Sequence, residues 1–559
     1  MKSEARVEVR RYTDVLTKFE TGAGIPVKET YTPEDLEGFD YERDLGKPGE
    51  FPYTRHLYRQ GYRKLPWLKS QIVCQEDAAE ANRNFKELIA SGQTGLRLLA
   101  DYPTNLGIDP DHPLAVKDIG CSGVPCWSLQ CMEEYLKDIP LENVDAEFAY
   151  PGPHCTLVMW GQMVAVAENR GLDISKLRGT TMNCVMSTHG THLYHDYPVP
   201  LGRRINTDFI EFCTKYTPRW HPIVPNTNHI GESGANAVEQ LACVLASAIA
   251  YCEDAINRGI DFDSFAPRMV FSMTCEIDFF ETMCKLRAVR RMWAKIAKER
   301  FKAKKPESCK VRLASRTAGV SLTRQQPVNN ITRIAYEALA SVLGGANSID
   351  LAGYDEAYVI PGFEAHLINL NIHHILAHET GAAITADPLG GSYYVEWLTN
   401  KLESEANKLL CQIEEMGGMY EALEKGWFEN LFREGMIRWQ REVTKGEKLL
   451  IGVNKYKVPE EQPELPMPAP VYVHHLEEAA QRNLEKIKEL REERDIGKTK
   501  EALERLYYEA KDNKNLIRPV IEACKADATI GEILGVIREA MGYSYDHFDM
   551  VHRPAFLTY

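Results

Sequence analysis

Several common sequence signals are absent from this chain, and each absence narrows the class of protein. The 14 cysteines are dispersed through 559 residues without a C-x-x-C pair, which excludes a dense disulfide framework and the usual zinc spacing. No G-x-G-x-x-G segment occurs, which argues against a dinucleotide-binding sheet. The amino terminus lacks the apolar core of a signal peptide, and the longest apolar run, Leu241 to Cys252, is too short to span a bilayer. We therefore expect a soluble, cytoplasmic protein with reduced thiols.

Charge of one sign is not concentrated on any long segment. The 66 basic and 80 acidic residues are well mixed and give a net charge of −14. The only dense basic run, Lys302 to Lys305, is interpreted as a solvated loop. A nucleic-acid surface requires a basic stripe, so we expect neither a nucleic-acid partner nor membrane association.

The order of the sequence patterns predicts three regions. Residues 1–50 are polar and turn-rich and are expected to form an arm laid over a partner or over the main domain. Residues 51–396 alternate short apolar strands with amphipathic helices, and about eight such βα units favour an α/β fold of the (β/α)₈ TIM-barrel type over a doubly wound sheet. Residues 397–559 are predicted to form a helical C-terminal region.

The clearest elements can be placed individually. Helical periodicity is found at Ala78 to Leu88, Ala235 to Arg258, Phe279 to Arg300 and Asn330 to Leu343. Strand candidates are Leu96 to Ala100, Glu147 to Tyr150, Met269 to Met273 and Val311 to Arg316. Near the carboxyl terminus, Thr529 followed by Glu532 predicts a capping box at the start of a helix.

Two polar segments carry the strongest functional signal. Residues 226–235 read N-T-N-H-I-G-E-S-G-A, and residues 387–396 read D-P-L-G-G-S-Y-Y-V-E. The first places His229 three residues before Glu232, in a stretch too rich in Asn and Gly for an ordinary helix interior, which predicts a strand end. Structural roles remain alternatives: a buried histidine bonded to backbone, and a carboxylate that caps a helix or forms an ion pair.

In this order and at this separation, the two segments resemble the large subunit of the adenosylcobalamin-dependent acyl-CoA mutases. This group contains the methylmalonyl-CoA, isobutyryl-CoA and 2-hydroxyisobutyryl-CoA mutases. Six further segments, spread over nearly the whole chain, match in the same order: F-P-Y-T-R at 51–55, G-Q-T-G-L at 92–96, D-P-D-H-P at 109–113, F-A-P-R at 265–268, Y-D-E-A at 354–357 and I-G-V-N-K-Y at 451–456.

The resemblance implies a cofactor and partners. The family's cobalamin-carrying domain bears a D-x-H-x-x-G motif whose histidine ligates cobalt, and this chain contains no such motif. We therefore expect no cobalamin-binding Rossmann-like domain here, and a separate small subunit that brings adenosylcobalamin and the axial histidine. An acyl-CoA substrate, a hetero-oligomer of large and small subunits, and a metallochaperone GTPase as a further partner are also implied.

The implied activity is a radical 1,2-rearrangement of the carbon skeleton of an acyl-CoA thioester. One alternative is a catalytically inactive barrel that acts as a binding or assembly scaffold. Another is a different cobalamin barrel such as a methyltransferase, but those lack the segments at 387–396 and 451–456.

Residue roles follow from the same resemblance. His229 matches the histidine that hydrogen-bonds the migrating thioester oxygen, and is the expected catalytic residue. The candidate residues for adenosylcobalamin are Tyr102, Ser122, Glu232, Glu356 and Ala357. The candidates for coenzyme A are Tyr58, Arg63, Lys64 and Arg268. Where the family has an arginine this chain has Leu65, and Arg63 and Lys64, which precede it, are candidates to replace the lost charge.

The expected acyl pocket departs from that of methylmalonyl-CoA mutase. Ile72, Ala100 and Asn228 stand where that enzyme has aromatic rings, and Met182 stands where it has a glutamine. The arginine that binds the substrate carboxylate in methylmalonyl-CoA mutase is replaced by His192 in this chain. The replacement removes a permanently charged group that can bind a carboxylate through two hydrogen bonds. We therefore expect a larger, less charged pocket, and a substrate bulkier than methylmalonyl-CoA whose distal group is polar or uncharged.

Histidines cluster around the lost arginine. His189, His192 and His195 are spaced three residues apart in a Gly-containing loop, which permits a metal site but is weak support for one. We predict no bound metal. Whether the three imidazoles act together is left open by the sequence.

Overall fold

The structure is a computed structural model that describes residues 19–74, 77–150, 152–191, 197–458 and 476–559. Within these ranges the protein is a mixed α/β fold built around eight parallel strands. The strands are β1 (Leu68–Ser70), β2 (Gly95–Leu98), β3 (Asp145–Phe148), β4 (Arg178–Thr181), β5 (Trp220–His221), β6 (Val270–Cys275), β7 (Arg312–Thr317) and β8 (Ser348–Asp350).

The strands form two four-stranded parallel sheets. Their orders are β1-β8-β7-β6 and β2-β3-β4-β5, so the first strand lies beside the last. Single parallel bridges extend the pairing between the two sheets: Ile72, just after β1, pairs with Arg97 of β2, and Asn226, after β5, pairs with Ser272 of β6. All eight carboxyl ends therefore point the same way, which brings the residues that follow the strands together.

Helices connect the strands and cover them. In chain order they are α1 (Ala78–Ala90), α2 (Tyr102–Leu106), α3 (Leu129–Tyr135), α4 (Pro153–Asn169), α5 (Val185–Thr191), α6 (Val199–Tyr216), α7 (Asn228–Glu232), α8 (Ala237–Asn257), α9 (Phe262–Phe265), α10 (Phe279–Glu299), α11 (Asn329–Leu343), α12 (Phe363–His378), α13 (Tyr393–Glu415), α14 (Met419–Glu424), α15 (Trp427–Lys445), α16 (Leu476–Glu493), α17 (Ile496–Lys511), α18 (Ile517–Lys525) and α19 (Ile530–Ala540).

The four helices and four strands placed from the sequence are confirmed, each to within two residues at either end. Local chemistry accounts for several boundaries. Asn236 and Glu239 form a reciprocal capping box at the start of α8, and the predicted box of Thr529 and Glu532 begins α19. The strands β2 and β6 are buried along their whole length, as expected for parallel strands covered by helices.

The ends of the described chain pack onto this central unit. In the amino-terminal region, the backbone N–H groups of Gly22 and Ala23 donate to Asp278 and Glu281 at the start of α10. In the carboxyl-terminal region, α13 packs on α8 and α10, and α18 packs on α4. No helix in the described ranges is both long and apolar enough to cross a bilayer.

Asp109, in the loop after α2, ties the strand-bearing part of the chain to the last helices. Its carboxylate accepts hydrogen bonds from Thr529 Oγ1 at 2.7 Å, Gly531 N at 2.9 Å and Arg491 Nη2 at 2.9 Å. Burial raises the pKa of this carboxyl to about 6, with Arg491 opposing the shift. Two helices, α16 and α19, are thus held to the loop after α2 by one side chain.

Candidate functional site

A cavity of about 470 Å³ opens where the strands end, a volume suited to a small ligand. Seven of the residues proposed from the sequence line it: Ile72, Ser122, Met182, Asn228, His229, Glu232 and Glu356. They come from segments that follow β1, β2, β4, β5 and β8. The parallel arrangement of the strands therefore gathers residues that lie far apart in the sequence.

His229 lies in α7, a single helical turn directly after the segment that follows β5. Its Nδ1 lies 3.3 Å from Ser187 Oγ and 3.3 Å from Asn226 Nδ2. The Asn226 side-chain oxygen accepts the backbone N–H of Asn228 at 2.7 Å, so its amide nitrogen is the group that faces the imidazole. Because an amide nitrogen only donates, Nδ1 is the acceptor, and in the neutral ring the proton resides on Nε2.

Glu232 ends the same helical turn and binds the loop after β7. Its carboxylate accepts the backbone N–H groups of Gly319 at 2.7 Å and Val320 at 2.9 Å. Burial raises the pKa of this carboxyl to about 7, although both N–H donors and the nearby Arg316 oppose the shift. The carboxyl therefore lies close to half-ionisation at neutral pH.

A chain of ion pairs crosses the cavity wall. Arg316 of β7 binds Glu356 at 2.9 Å and Asp350 of β8 at 3.0 Å. Asp350 also binds Arg97 of β2 at 2.8 Å, and Arg97 reaches Glu147 of β3 at 2.5 Å. Both guanidinium groups are therefore neutralised by carboxylates within the protein.

The sequence analysis did not identify Arg97, Arg316 or Asp350. A signal was present, because a charged residue interrupts the apolar pattern of β2, and Arg316 and Asp350 lie at the ends of β7 and β8. Residues at the carboxyl ends of parallel strands are positioned for function. The sequence analysis also missed His366, which lines the cavity and is hydrogen-bonded to Gln71.

Of the described residues proposed for the acyl pocket and the cofactor, three lie outside the cavity lining. Ala100 is buried in a parallel bridge with Val124, and its neighbour Leu99 lines the cavity instead. Tyr102 begins α2 with 51% of its surface exposed, and Ala357 is also exposed. Tyr102 lies four residues after the carboxyl end of β2.

The coenzyme A candidates lie on other surfaces. Arg63 and Lys64 are exposed around a short 3₁₀ turn, and Tyr58 is half-buried. Arg268 directly precedes β6, at the amino-terminal end of the strands, and Arg312 begins β7 at the same end. Within the described residues, Arg268 Nη1 is buried without a hydrogen-bond partner. Arg268 therefore lies on the side opposite the cavity.

The histidine-rich loop is only partly described. His192 and His195 lie outside the described residues, so the acyl-pocket role of His192 and a metal site of these imidazoles stay untested. His189 Nε2 lies 2.8 Å from the carbonyl of Tyr197, which occupies that nitrogen as a donor. In the described parts of the chain no group of three or more His, Cys, Asp or Glu side chains is arranged to hold a metal ion.

His221, at the end of β5, does not line the cavity. Its Nδ1 lies 2.8 Å from the carbonyl oxygen of Arg268, and burial lowers the pKa of this imidazole to about 3.

The residues present fit an adenosyl group bound over the cavity. Glu232 and Glu356 offer carboxylate oxygens to ribose hydroxyls, and a Cβ at Gly319 would come within 3.4 Å of the Glu232 carboxylate. Exposed Tyr102 and Val320 border the same end of the strands and offer apolar surface to a corrin face. The His229 imidazole, these two carboxylates and the two exposed apolar side chains thus lie at the same end of the strands.

Comparison with known proteins gives a consistent result. Residues 20–543 match the model of the methylmalonyl-CoA mutase family. The chain is 37% identical over 528 residues to the 2-hydroxyisobutanoyl-CoA mutase large subunit of Aquincola tertiaricarbonis, which covers 94% of this chain and 92% of that protein. It is 35% identical over 525 residues to the methylmalonyl-CoA mutase of Rhizobium meliloti, covering 93% and 72%, respectively. It is 34% identical over 531 residues to the methylmalonyl-CoA mutase large subunit of Streptomyces virginiae, covering 94% and 71%.

Proposed function

Because the chain belongs to the methylmalonyl-CoA mutase family, a family of isomerases, we propose that it is the substrate-binding subunit of an adenosylcobalamin-dependent acyl-CoA mutase. The observation that carries this proposal is the position of the His229 imidazole, which lines a ligand-sized cavity with its Nδ1 beside Asn226. Adenosylcobalamin, when bound, supplies the radical by homolysis of its cobalt–carbon bond. The residues of this chain bind, orient and shield the thioester.

We further propose that the eight strands close into a (β/α)₈ barrel formed by residues 51–396. The two inter-sheet bridges, Ile72 with Arg97 and Asn226 with Ser272, support closure because they pair both sets of edge strands. In this arrangement residues 1–50 form an arm and residues 397–559 a helical region packed on the barrel. Catalytic residues of barrels lie at the carboxyl ends of the strands, where the cavity is found.

In the proposed mechanism, His229 donates from Nε2 to the thioester oxygen. A donor placed there stabilises negative charge that builds up on the oxygen during migration of the carbonyl group. Ser187 and Asn226 hold the opposite ring nitrogen and so fix the direction of the donor. Glu232 and Glu356 accept hydrogen bonds from the ribose, and Ser122 completes the polar wall.

Coenzyme A is proposed to run through the barrel, with its phosphates at the amino-terminal end. Arg268 ends the 3₁₀ turn before β6 at that end, and a guanidinium suits an anionic ligand. Tyr58, Arg63 and Lys64 are proposed to contact the outer part of the coenzyme. Cations at one end of the strands and the donor histidine at the other suit a long thioester with an anionic head.

The acyl group is proposed to be bulkier than methylmalonyl and to lack a carboxylate. Ile72, Met182 and Asn228 line a cavity large enough for such a group. The two arginines that line it, Arg97 and Arg316, are already committed to Asp350 and further carboxylates. A substrate carboxylate would therefore meet no uncommitted guanidinium among the described lining residues.

The cobalt and its axial histidine are proposed to come from a cobalamin-binding small subunit. The relatives from Aquincola tertiaricarbonis and Streptomyces virginiae are themselves named large subunits, which supports a two-subunit enzyme. A metallochaperone GTPase is proposed as an additional partner for loading the cofactor, by family analogy.

The proposal is tested by reconstituting the full chain with a cobalamin-binding small subunit and adenosylcobalamin. We expect a visible spectral change, due to homolysis, on adding a branched or aryl-substituted acyl-CoA, and much slower turnover of methylmalonyl-CoA. Turnover of methylmalonyl-CoA at rates normal for the family would contradict the proposed acyl group. Cofactor binding without homolysis for any thioester would instead favour an inactive scaffold.

A further inference from the structure

The buried face of α15 rests on the elements that hold the imidazole of the cavity wall. The buried residues of this helix are Phe428, Phe432 and Gly435, and their spacing of four and three residues places them on one side. The helix packs against α5, where a Cβ added to Gly190 would lie 3.1 Å from a carbon of the Phe432 ring. α5 also carries Ser187, whose hydroxyl lies beside the catalytic imidazole. α15 therefore braces one of the two partners of that ring, although it contributes no residue to the described cavity lining.

Gly435 brings the backbone of α15 into direct contact with the turn after α7. A Cβ on Gly435 would lie 2.2 Å from the carbonyl oxygen of Gly234, and a Cβ on Gly234 would lie 2.4 Å from the backbone nitrogen of Met436. Cβ atoms essentially never approach another heavy atom within 3.0 Å, so neither position has room for a larger residue. A glycine inside a helix weakens the helix relative to alanine. The presence of Gly435 is thus explained by the close approach of two backbones and not by helix formation.

Gly234 closes the helical turn that carries His229. Its N–H donates to the carbonyl of Gly231 at 3.1 Å, and the N–H of Ser233 donates to the carbonyl of His229 at 3.0 Å. Gly234 has a φ of +103°, which side-chain-bearing residues rarely adopt, so this part of the backbone is fixed in one conformation. A displacement of the Gly234 carbonyl is therefore passed to His229 through the bonds of a single turn.

We propose that Gly435 is a positioning residue for His229: its missing side chain lets α15 lie directly on the turn after α7 and hold the imidazole in register with the cavity. This inference rests on the proposed function, because it assigns a role in the reaction to a residue that touches neither the thioester nor the cofactor. A misplacement of about 1 Å can lower an enzymatic rate by about 10²-fold, so a contact of this kind affects catalysis from outside the site.

The first test measures turnover of Gly435→Ala in the reconstituted enzyme. The added Cβ must separate α15 from the turn, so we expect kcat to fall by roughly 10- to 10²-fold. The KM of the thioester should stay within about twofold, since only the placement of the transition-state donor is changed. Gly497→Ala is the matched control: this glycine lies in the first turn of α17, and its Cβ would meet only the flexible Asp495 carboxylate at 3.3 Å. The control should leave kcat unchanged.

A double-mutant cycle separates positioning of the imidazole from general packing. If Gly435 acts through His229, its effect must vanish once the ring is gone. We expect Gly435→Ala to lower the residual rate of His229→Ala by less than about twofold. An equal fold loss in the presence and absence of the imidazole would overturn the assignment.

The second test does not depend on turnover. Histidines of the full chain are labelled with nitrogen-15, and the imidazole signals of His229 are identified by their loss in His229→Gln. Gly435→Ala should shift these signals, whereas the signals of His373, a buried imidazole bound to Trp67 on α12, should stay in place. Thermal unfolding verifies that the variant is folded, and Phe432→Leu, which reduces the contact with α5, serves as a second variant.

The outcomes distinguish the two levels of the proposal. If neither folded variant moves the His229 signals, the positioning role is overturned, whatever the activity. If the signals shift as expected but the wild type converts no acyl-CoA, the proposed function fails while the contact between α15 and the His229 turn is supported.

Discussion

At the scale of single residues, the orientation of His229 is the feature with the clearest consequence. Its Nδ1 is held by Asn226 and Ser187, so removing the ring removes the Nε2–H donor without disturbing the ion pairs of the cavity wall. In the reconstituted enzyme we expect His229→Ala to bind adenosylcobalamin normally and to lose roughly 10²- to 10⁴-fold in rate. We expect Ser187→Ala to lose less, since Asn226 remains. Unchanged turnover in His229→Ala would remove this residue from the mechanism.

The carboxyl of Glu232 predicts a pH dependence of stability. Its pKa is raised from 4.5 to about 7, so between these values the folded protein holds a proton that the unfolded chain releases. Its contribution to stability is therefore complete below about pH 4.5 and is lost as the pH rises through 7. Urea unfolding measures the free energy of unfolding of the wild type and of Glu232→Gln. Between pH 5 and pH 8 we expect the wild type to lose on the order of 2 kcal/mol of this free energy relative to the variant. If the unfolding free energies of the two proteins changed equally with pH, the raised pKa of Glu232 would be contradicted.

The sequence could predict site residues that lie within recognisable segments, but not those defined by distant partners. His229, Glu232 and Glu356 are part of such segments, and all three line the cavity. Arg97 and His366 are not, because their positions depend on Asp350 and Gln71, which approach them only through strand pairing. The local sequence pattern does not indicate which strands become neighbours in the sheet.

At the scale of elements, periodic segments were predictable and the short turns around the site were not. Helices such as α8 and α10 follow the 3.6-residue period over many turns, which identifies them unambiguously. The segment around His229 was expected at a strand end: Asn226 does pair there with Ser272, but the one-turn helix α7 that follows was not expected. Tertiary bonds stabilise this turn: Thr227 N donates to the carbonyl of Ser272 on β6, and Thr274 Oγ1 donates to the carbonyl of Thr227. Such bonds override the weak helix propensity of Asn and Gly.

Asp109 offers a prediction at this scale, because it joins α16 and α19 to the loop after α2. Asp109→Ala leaves the hydroxyl of Thr529, the N–H of Gly531 and part of Arg491 without their acceptor. We expect a loss of about 3 kcal/mol in unfolding free energy, as for a broken buried ion pair. Asp111→Ala is the control: Asp111 also binds Arg491 but is largely exposed, so its removal should cost less than about 1 kcal/mol. Urea unfolding measures both, and equal losses would contradict the anchoring role.

At the scale of the whole molecule, the proposed subunit arrangement makes a direct prediction. The exposed residues beside the cavity, Tyr102 and Val320, lie where a cobalamin-bearing partner is proposed to cover the site. We expect the chain alone to bind acyl-CoA without isomerising it, and to form a larger complex when the small subunit and adenosylcobalamin are added. Analytical ultracentrifugation follows assembly and a coupled assay follows isomerisation. Isomerisation by the chain alone with free adenosylcobalamin would contradict the proposed division of roles.

The ion pair between Arg97 and Asp350 has a consequence for how the protein is made. The guanidinium of Arg97 is buried, with one partner, Glu147, on the next strand and another, Asp350, on the last. During translation the ribosome releases the β2 segment long before the β8 segment, so a nascent chain cannot bury this arginine fully neutralised until synthesis has passed residue 350. A buried charge without its partner is strongly unfavourable. We therefore expect the strands made first to pack stably only once β8 has been synthesised, and a chain truncated before β8 to be less soluble than the full chain.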